Sequence, residues 1–218
     1  MTNREQFIPV TKESRRLNRY TTLPVLLDLL RRKKITLLDP LTWEDRNDAG
    51  IILEYKKRKK VIPNLFAICF GIDDETIHHW KAYADGVSGC CIEFDEKKLL
   101  KCFEGIPEIR MGDVVYKKMS EIKNNTIAVD DIPFTKRWTY RCESEFRILW
   151  EGETKLPAID IDIDLNSINK ITLSQKMPKP IHNSIKDLLR SEIKNPSSRI
   201  NSSTLYENTA WIKKFKEV

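Results

Sequence analysis

Apolar residues recur along this chain at two spacings, one of helices and one of strands, and the two alternate without a regular rhythm. Leu23, Leu26, Leu27 and Leu30 fall at i, i+3, i+4 and i+7, which predicts a helix over residues 23–34. Thr22 is placed to cap it, Pro24 is tolerated in its first turn, and residues 31–34 are basic at its negative end. A short strand over 35–38 stops at Asp39-Pro40, and a second helix is predicted over 43–60. Residues 65–70 and 89–94 read as strands, 74–84 and 96–102 as helices, and 109–116 as a strand. Residues 134–142 are aromatic-rich and open to either reading. In a strand over 145–150, Phe146, Ile148 and Trp150 share one face, and Glu145, Arg147 and Leu149 the other. Residues 158–165 alternate Ile159, Ile161, Ile163 and Leu165 with Asp160, Asp162 and Asp164. Such an acidic row attracts a divalent cation or, as a solvated strand face, blocks edge-to-edge pairing. Residues 168–173 are its expected partner strand. A last helix over 181–193 carries Ile181, Ile185, Leu188 and Leu189 as its stripe.

This mixture, without βαβ repetition, predicts an α+β fold: one domain over residues 1–218, a mainly antiparallel sheet with helices packed on it. The chain has only seven glycines and neither a dinucleotide-binding G-x-G-x-x-G nor a phosphate-loop motif. With 40% hydrophobic and 32% charged residues, the composition is that of a globular protein. The net charge of +6 sets 38 basic against 32 acidic residues, a balance compatible with a polyanionic partner without demanding one. Lys56, Lys57, Arg58, Lys59 and Lys60 form the densest basic run, either a solvated helix end or a phosphate-contacting patch. No apolar signal region opens the sequence, and no stretch reaches the roughly 20 apolar residues of a membrane span. Cys69, Cys90, Cys91, Cys102 and Cys142 are odd in number and lack a C-x-x-C pair, which fits reduced thiols in a cytoplasmic protein. The adjacent His78 and His79 point apart on a helix and cannot chelate one ion together, so no metal site is expected.

Four segments are polar or aromatic beyond what packing needs. Asn18-Arg19-Tyr20-Thr21-Thr22 precedes the first helix, where a guanidinium and free main-chain N–H groups suit an anion as well as they suit a plain cap. Residues 42–48, around Trp43, Glu44, Asp45, Arg46 and Asp48, make either a loop closing over a site or an ion-paired helix start. Trp80 and Tyr83, three apart, share a helix face for the core or for stacking on a flat ring. Glu143 and Glu145, if extended, lie on one face about 7 Å apart. Arg147 continues that face and keeps a neighbouring carboxylate ionised, whether in an ion-pair ladder or beside a ribose.

In order and spacing these segments resemble an uncharacterised bacterial domain family of undefined function. The match runs through residues 19–24, 38–40 with 43–48, His79-Trp80 with 91–95, Trp138 with Glu143, Glu145, Phe146 and Arg147, and Ser203-Thr204-Leu205 with Asn208 and Trp211. The pattern also resembles ADP-ribosyltransferases, with Arg19 and Thr21 as the first element, residues 70–83 as the second and Glu145 as the third. Gly71 stands where that family carries a serine on its second strand. The resemblance implies an enzyme that breaks the N-glycosidic bond of NAD and passes ADP-ribose to an acceptor it does not identify. Glu145 would hold a ribose hydroxyl and stabilise the cation, and Arg19 would anchor ribose or pyrophosphate. Tyr20, Trp80 or Tyr83 would stack on nicotinamide, Glu143 would orient or deprotonate the acceptor, and Thr21 and Arg147 would complete the NAD-binding set. Two other classes stay open. One is a nucleic-acid-binding or processing module of a phage-defence or mobile-element system, using residues 56–60. The other is a non-enzymatic interaction domain.

Overall fold

The computed structural model of the chain describes residues 15–59, 64–124, 126–153, 156–193 and 198–216. Within them the strands are β1 (Arg16–Thr22), β2 (Lys34–Leu38), β3 (Asn64–Gly71), β4 (Gly89–Asp95), β5 (Ile109–Asp113), β6 (Val115–Lys117), β7 (Thr135–Arg137), β8 (Glu145–Gly152), β9 (Ala158–Asp162), β10 (Ile168–Leu173) and β11 (Arg199–Ser202). The helices are α1 (Leu23–Arg32), α2 (Arg46–Lys59), α3 (Ile77–Tyr83), α4 (Glu96–Lys101), α5 (Met119–Asn124), α6 (Lys179–Glu192) and α7 (Thr209–Lys214). The fold is α+β, as the mixed periodicity predicts. A nine-stranded sheet runs β11-β10-β4-β1-β3-β2-β9, with β8 also on β3 and β5 on β8. Its pairings are antiparallel except β10 with β11, and β6 pairs β7 in a separate parallel ribbon. Among the described residues no helix is long and apolar enough to cross a membrane.

The sheet forks. β1 pairs β4 over seven residues and β3 pairs β8 over eight, whereas β1 and β3 meet only at Asn18 and Gly71. Beyond that rung the two ladders diverge.

Strand alternation covers both faces. Phe66, Ile68 and Phe70 of β3 and Cys90, Ile92 and Phe94 of β4 face the main core, with Leu26, Leu29 and Leu30 of α1, Leu99 of α4 and Leu189 of α6. Each such aliphatic side chain, fully buried, stabilises the fold by roughly 1.5–3 kcal/mol. On the opposite face, Leu65 and Ala67 of β3 and Leu149 of β8 pack under Ile52 and Tyr55 of α2. Cys91 of β4 and Tyr20 of β1 pack under Trp80 and Ala84, on and just after α3. The fork therefore opens between α2 and α3.

Several expectations are corrected. Residues 18–22, read as the polar lead-in to the first helix, are most of β1, and Thr22 makes no side-chain capping bond. Helix α1 ends at Arg32 because Lys33 turns left-handed (φ 54°), freeing Lys34 to open β2. Helix α2 begins at Arg46, since the Asp45 carboxylate accepts from the N–H groups of Asn47 and Asp48 and leaves Trp43 in the preceding loop. Residues 109–116 belong to two strands in two sheets, parted at the buried Val114. β10 does not pair β9: it lies on β4, while β9 closes the other edge on β2. The core-facing stripe at α6 is the partly buried Ile185 with the buried Leu189 and Ile193, spaced by four, leaving Ile181 and Leu188 exposed.

Candidate active site

The divergence of β1 and β3 leaves a cleft of about 370 Å³. Asn18, Arg19 and Tyr20 of β1, Cys69, Phe70 and Gly71 of β3, and His79, Ala82 and Tyr83 of α3 line it. Trp43, Glu44, Asp45 and Asp48 wall it from the α2 side, and Lys136, Glu143 and Glu145 close it. Arg19 and Glu145, 126 residues apart in sequence, face the same space.

Arg19 bridges the fork, donating Nη1–H to the Cys69 carbonyl at 3.0 Å. Among the described residues no carboxylate pairs with it. Burial is the strongest influence on the guanidinium and lowers its pKa, while Cys69, Glu145 and Tyr83 act the other way. An arginine pKa lies so high that the group stays cationic. It is held by one neutral acceptor and left with donors to spare.

Opposite it stands a buried ion network. Arg147 is fully buried and grips Asp48 with two nitrogens, Nη1 at 3.1 Å and Nη2 at 2.6 Å. Its Nε–H donates to Glu145 at 2.7 Å and its Nη1 to the Pro133 carbonyl at 2.7 Å, while Trp43 covers the guanidinium at 4.9 Å. Lys136 Nζ lies 2.6 Å from Glu143, 3.3 Å from Glu145 and 3.3 Å from Asp48, with the Tyr140 ring 5.0 Å away. Burial alone would raise Glu145. Arg147 and Lys136, with hydrogen bonds from Arg147 and Cys69, outweigh it and hold the carboxylate at about 2. Three acidic side chains thus share two cations, and across the cleft the Glu145 charge also acts on Arg19.

Glu143 and Glu145 come together for a different reason from strand alternation. Glu143 ends a 3-10 turn (Trp138–Glu143), Ser144 takes a left-handed conformation at φ 43°, and Glu145 opens β8. A non-glycine residue there costs on the order of 1 kcal/mol, a cost that recurs at functional sites. Both carboxylates converge on Lys136 rather than standing side by side on a strand.

His79 fixes this turn from α3. Its Nε2 lies 2.9 Å from the Glu143 carbonyl and donates to it. Burial is the strongest influence on the ring and lowers its pKa, which keeps it neutral, so Nδ1 accepts from the Thr76 hydroxyl at 2.9 Å. Tyr20 stacks on it at 4.8 Å and 8°. Gly71 sits beneath: a Cβ there would stand 3.3 Å from His79 Nε2, tight enough to displace the imidazole. A glycine at position 71 thus leaves the room that the His79 ring occupies.

The other predicted residues fall behind or outside the cleft. Arg147 is beneath the floor as the support of Glu145. Trp80 is buried in the adjoining cluster, donating Nε1–H to Glu75 at 2.8 Å, and does not line the cleft. Thr21 is buried and pairs with Cys90. Residues 42–48 are both a cleft wall and an ion-paired helix start. In the basic run, Lys57 and Arg58 pair with Glu54 and Lys59 with Asp130, while Lys60 lies outside the described residues. Asp160 is tied to Arg32 and Thr36, Asp162 to Lys34, and Asp164 caps a 3-10 turn, so the acidic row does not converge. Lys136 was missed: it is one basic residue in Thr135-Lys136-Arg137, and nothing local marks it as buried.

The fold and the cleft together define an α+β protein with a split sheet and a charged cleft at the split. A family described as "Protein of unknown function (DUF2971)" matches residues 79–148, the stretch that holds His79, Lys136, Glu143, Glu145 and Arg147. Among solved structures, the chain is similar to Thermus sp. 2.9 DarT in complex with ADP-ribosylated ssDNA. The two are 12% identical over 89% of this chain and 97% of that chain, with a TM-score of 0.45. It is also similar to Thermus sp. 2.9 DarT in complex with NAD+, at 9% identity over 90% and 98% of the two chains and a TM-score of 0.44. No curated protein matches the sequence.

Proposed function

We propose that the cleft binds NAD and breaks its N-glycosidic bond, transferring ADP-ribose to an acceptor. The observation that carries this reading is that Arg19, with no carboxylate partner among the described residues, and Glu145, held ionised at about 2, line one cavity. Its volume lies within the range of about 300–1,000 Å³ usual for small-molecule sites. A guanidinium with spare donors suits a pyrophosphate or ribose oxygen. An ionised carboxylate fixed by Arg147 and Lys136 stabilises positive charge developing on a ribose without reorganising. The stacked Tyr20–His79 pair and Tyr83 offer aromatic surface to the leaving nicotinamide.

Glu143 is the second glutamate lining the cleft, and in this reading it takes the acceptor's proton. The 3-10 turn that ends in Glu143 exposes Trp138, with Lys118 and Arg141 over its ring at 5.1 and 5.0 Å. An indole flanked by cations suits a stacked nucleobase and its phosphate, which favours a nucleic-acid acceptor approaching over this turn rather than over residues 56–59.

The test is chromatographic detection of nicotinamide after incubating the full chain with NAD. Glu145→Gln is expected to keep the native circular dichroism and lose on the order of 10²–10³-fold in release. Turnover equal to that of the unmutated protein would remove Glu145 from the reaction and end the proposal.

A further inference from the structure

Two carboxylates crowded into a buried site ordinarily share one proton, because neither tolerates the other's charge. Glu143 and Glu145 are both buried, and Asp48 adds a third acid beside them. The groups facing them come from six strands and helices. β8 supplies Arg147, which is divided between Asp48 and Glu145 and makes no contact with Glu143 among the described residues. α3 supplies His78, 3.9 Å from Glu143, the neutral His79, and Tyr83. β6 supplies Tyr116, whose hydroxyl accepts the Glu145 N–H at 2.9 Å. β3 supplies the Cys69 thiol and β1 the Arg19 guanidinium. β7 supplies Lys136, which alone among the described residues reaches all three acids.

We infer that Lys136 is a positioning residue whose ammonium lets Glu143 and Glu145 be ionised at the same time. Resting on the reading above, this gives the site two carboxylates with separate tasks. As the C1′–N bond breaks, its electron pair leaves with nicotinamide and Glu145 faces the ribose cation. A lone pair of the acceptor then forms the new bond to C1′, and the acceptor's proton passes to Glu143. Were the two acids to share a proton beforehand, one of these tasks would be vacant.

The experiment uses the full chain labelled with carboxyl-¹³C glutamate, titrated by NMR, with the two signals assigned through Glu143→Gln and Glu145→Gln. In the unmutated protein both carboxyls are expected to stay ionised from neutral into weakly acid pH. In Lys136→Met one proton is expected to be taken up near neutrality. The acid limb of nicotinamide release then moves up by about 1 pH unit or more, and kcat falls while KM for NAD is largely kept. Lys136→Arg should restore both signals. Unchanged titration in Lys136→Met, or an Lys136→Arg protein that behaves like it, overturns the inference. Should Lys136→Met not fold, the double variant Lys136→Met/Glu143→Gln removes the crowding, and Glu145 should again be ionised beside Arg147. A Glu145 that still titrates near neutrality there also overturns it. A protein that shows the expected titrations yet releases no nicotinamide refutes the reaction and leaves the role of Lys136 standing.

Discussion

Two sets of three acidic residues occupy this molecule, and they behave oppositely. Asp160, Asp162 and Asp164 are consecutive alternate residues at and just beyond the edge strand β9, on the solvent side, each tied to a different partner. Asp48, Glu143 and Glu145 come from a helix, a turn and a strand, are buried, and all converge on Lys136, while Arg147 also holds Asp48 and Glu145. The first set is conspicuous in the sequence and modest in energy, since exposed ion pairs contribute about 0–1 kcal/mol. The second is scattered in the sequence and costly to disturb, because removing one partner of a buried pair strands an uncompensated charge. Charge density along a chain is thus a poor guide to electrostatic work; convergence in a place without water is the better one.

Three measurements sharpen the contrast. Arg147→Met strands both Asp48 and Glu145 and is expected to cost about 3–5 kcal/mol in denaturant unfolding. A loss below 1 kcal/mol would show the network to be no stronger than a surface pair. Acid is next. The fold favours the Glu145 carboxylate, so its contribution is whole above the ordinary 4.5 and drains as pH falls toward about 2, a window worth about 3 kcal/mol. Glu145→Gln should flatten that part of the stability curve. Smallest is Asp160→Asn. Arg32 and Thr36 hold this carboxylate below its usual range at a partly exposed site, and the substitution should change stability by less than about 1 kcal/mol.

Much of the fold was legible where one period dominates. Strands β3, β4 and β8 and helix α1 follow from runs of alternate or i, i+4 apolar residues. β1 was not legible, because Asn18-Arg19-Tyr20-Thr21-Thr22 reads as polar. Its side chains serve two covered faces and a cleft, and only the pairing with β4 reveals it as a strand. The partner of β9 was also hidden, since neighbours in sequence need not be neighbours in a sheet. Of the site, Arg19, Tyr20, Tyr83, Glu143 and Glu145 carry a local signal. Asp48 is marked only as one of a dense run of charges, and Lys136 not at all, for its importance lies in where remote elements bring it. Trp80 illustrates the converse: an aromatic residue in a suggestive segment whose neighbours turn it inward.

The lone rung between Asn18 and Gly71 has a mechanical corollary. The seven- and eight-residue ladders share one point of main-chain attachment. Past it, side chains hold them together: on the core face the Phe70 and Phe94 rings meet at 6.0 Å. The Arg19 to Cys69 bond spans the gap just beside the rung. The spacing of the two strand edges at the cleft is therefore set by side chains, not by rungs of the sheet.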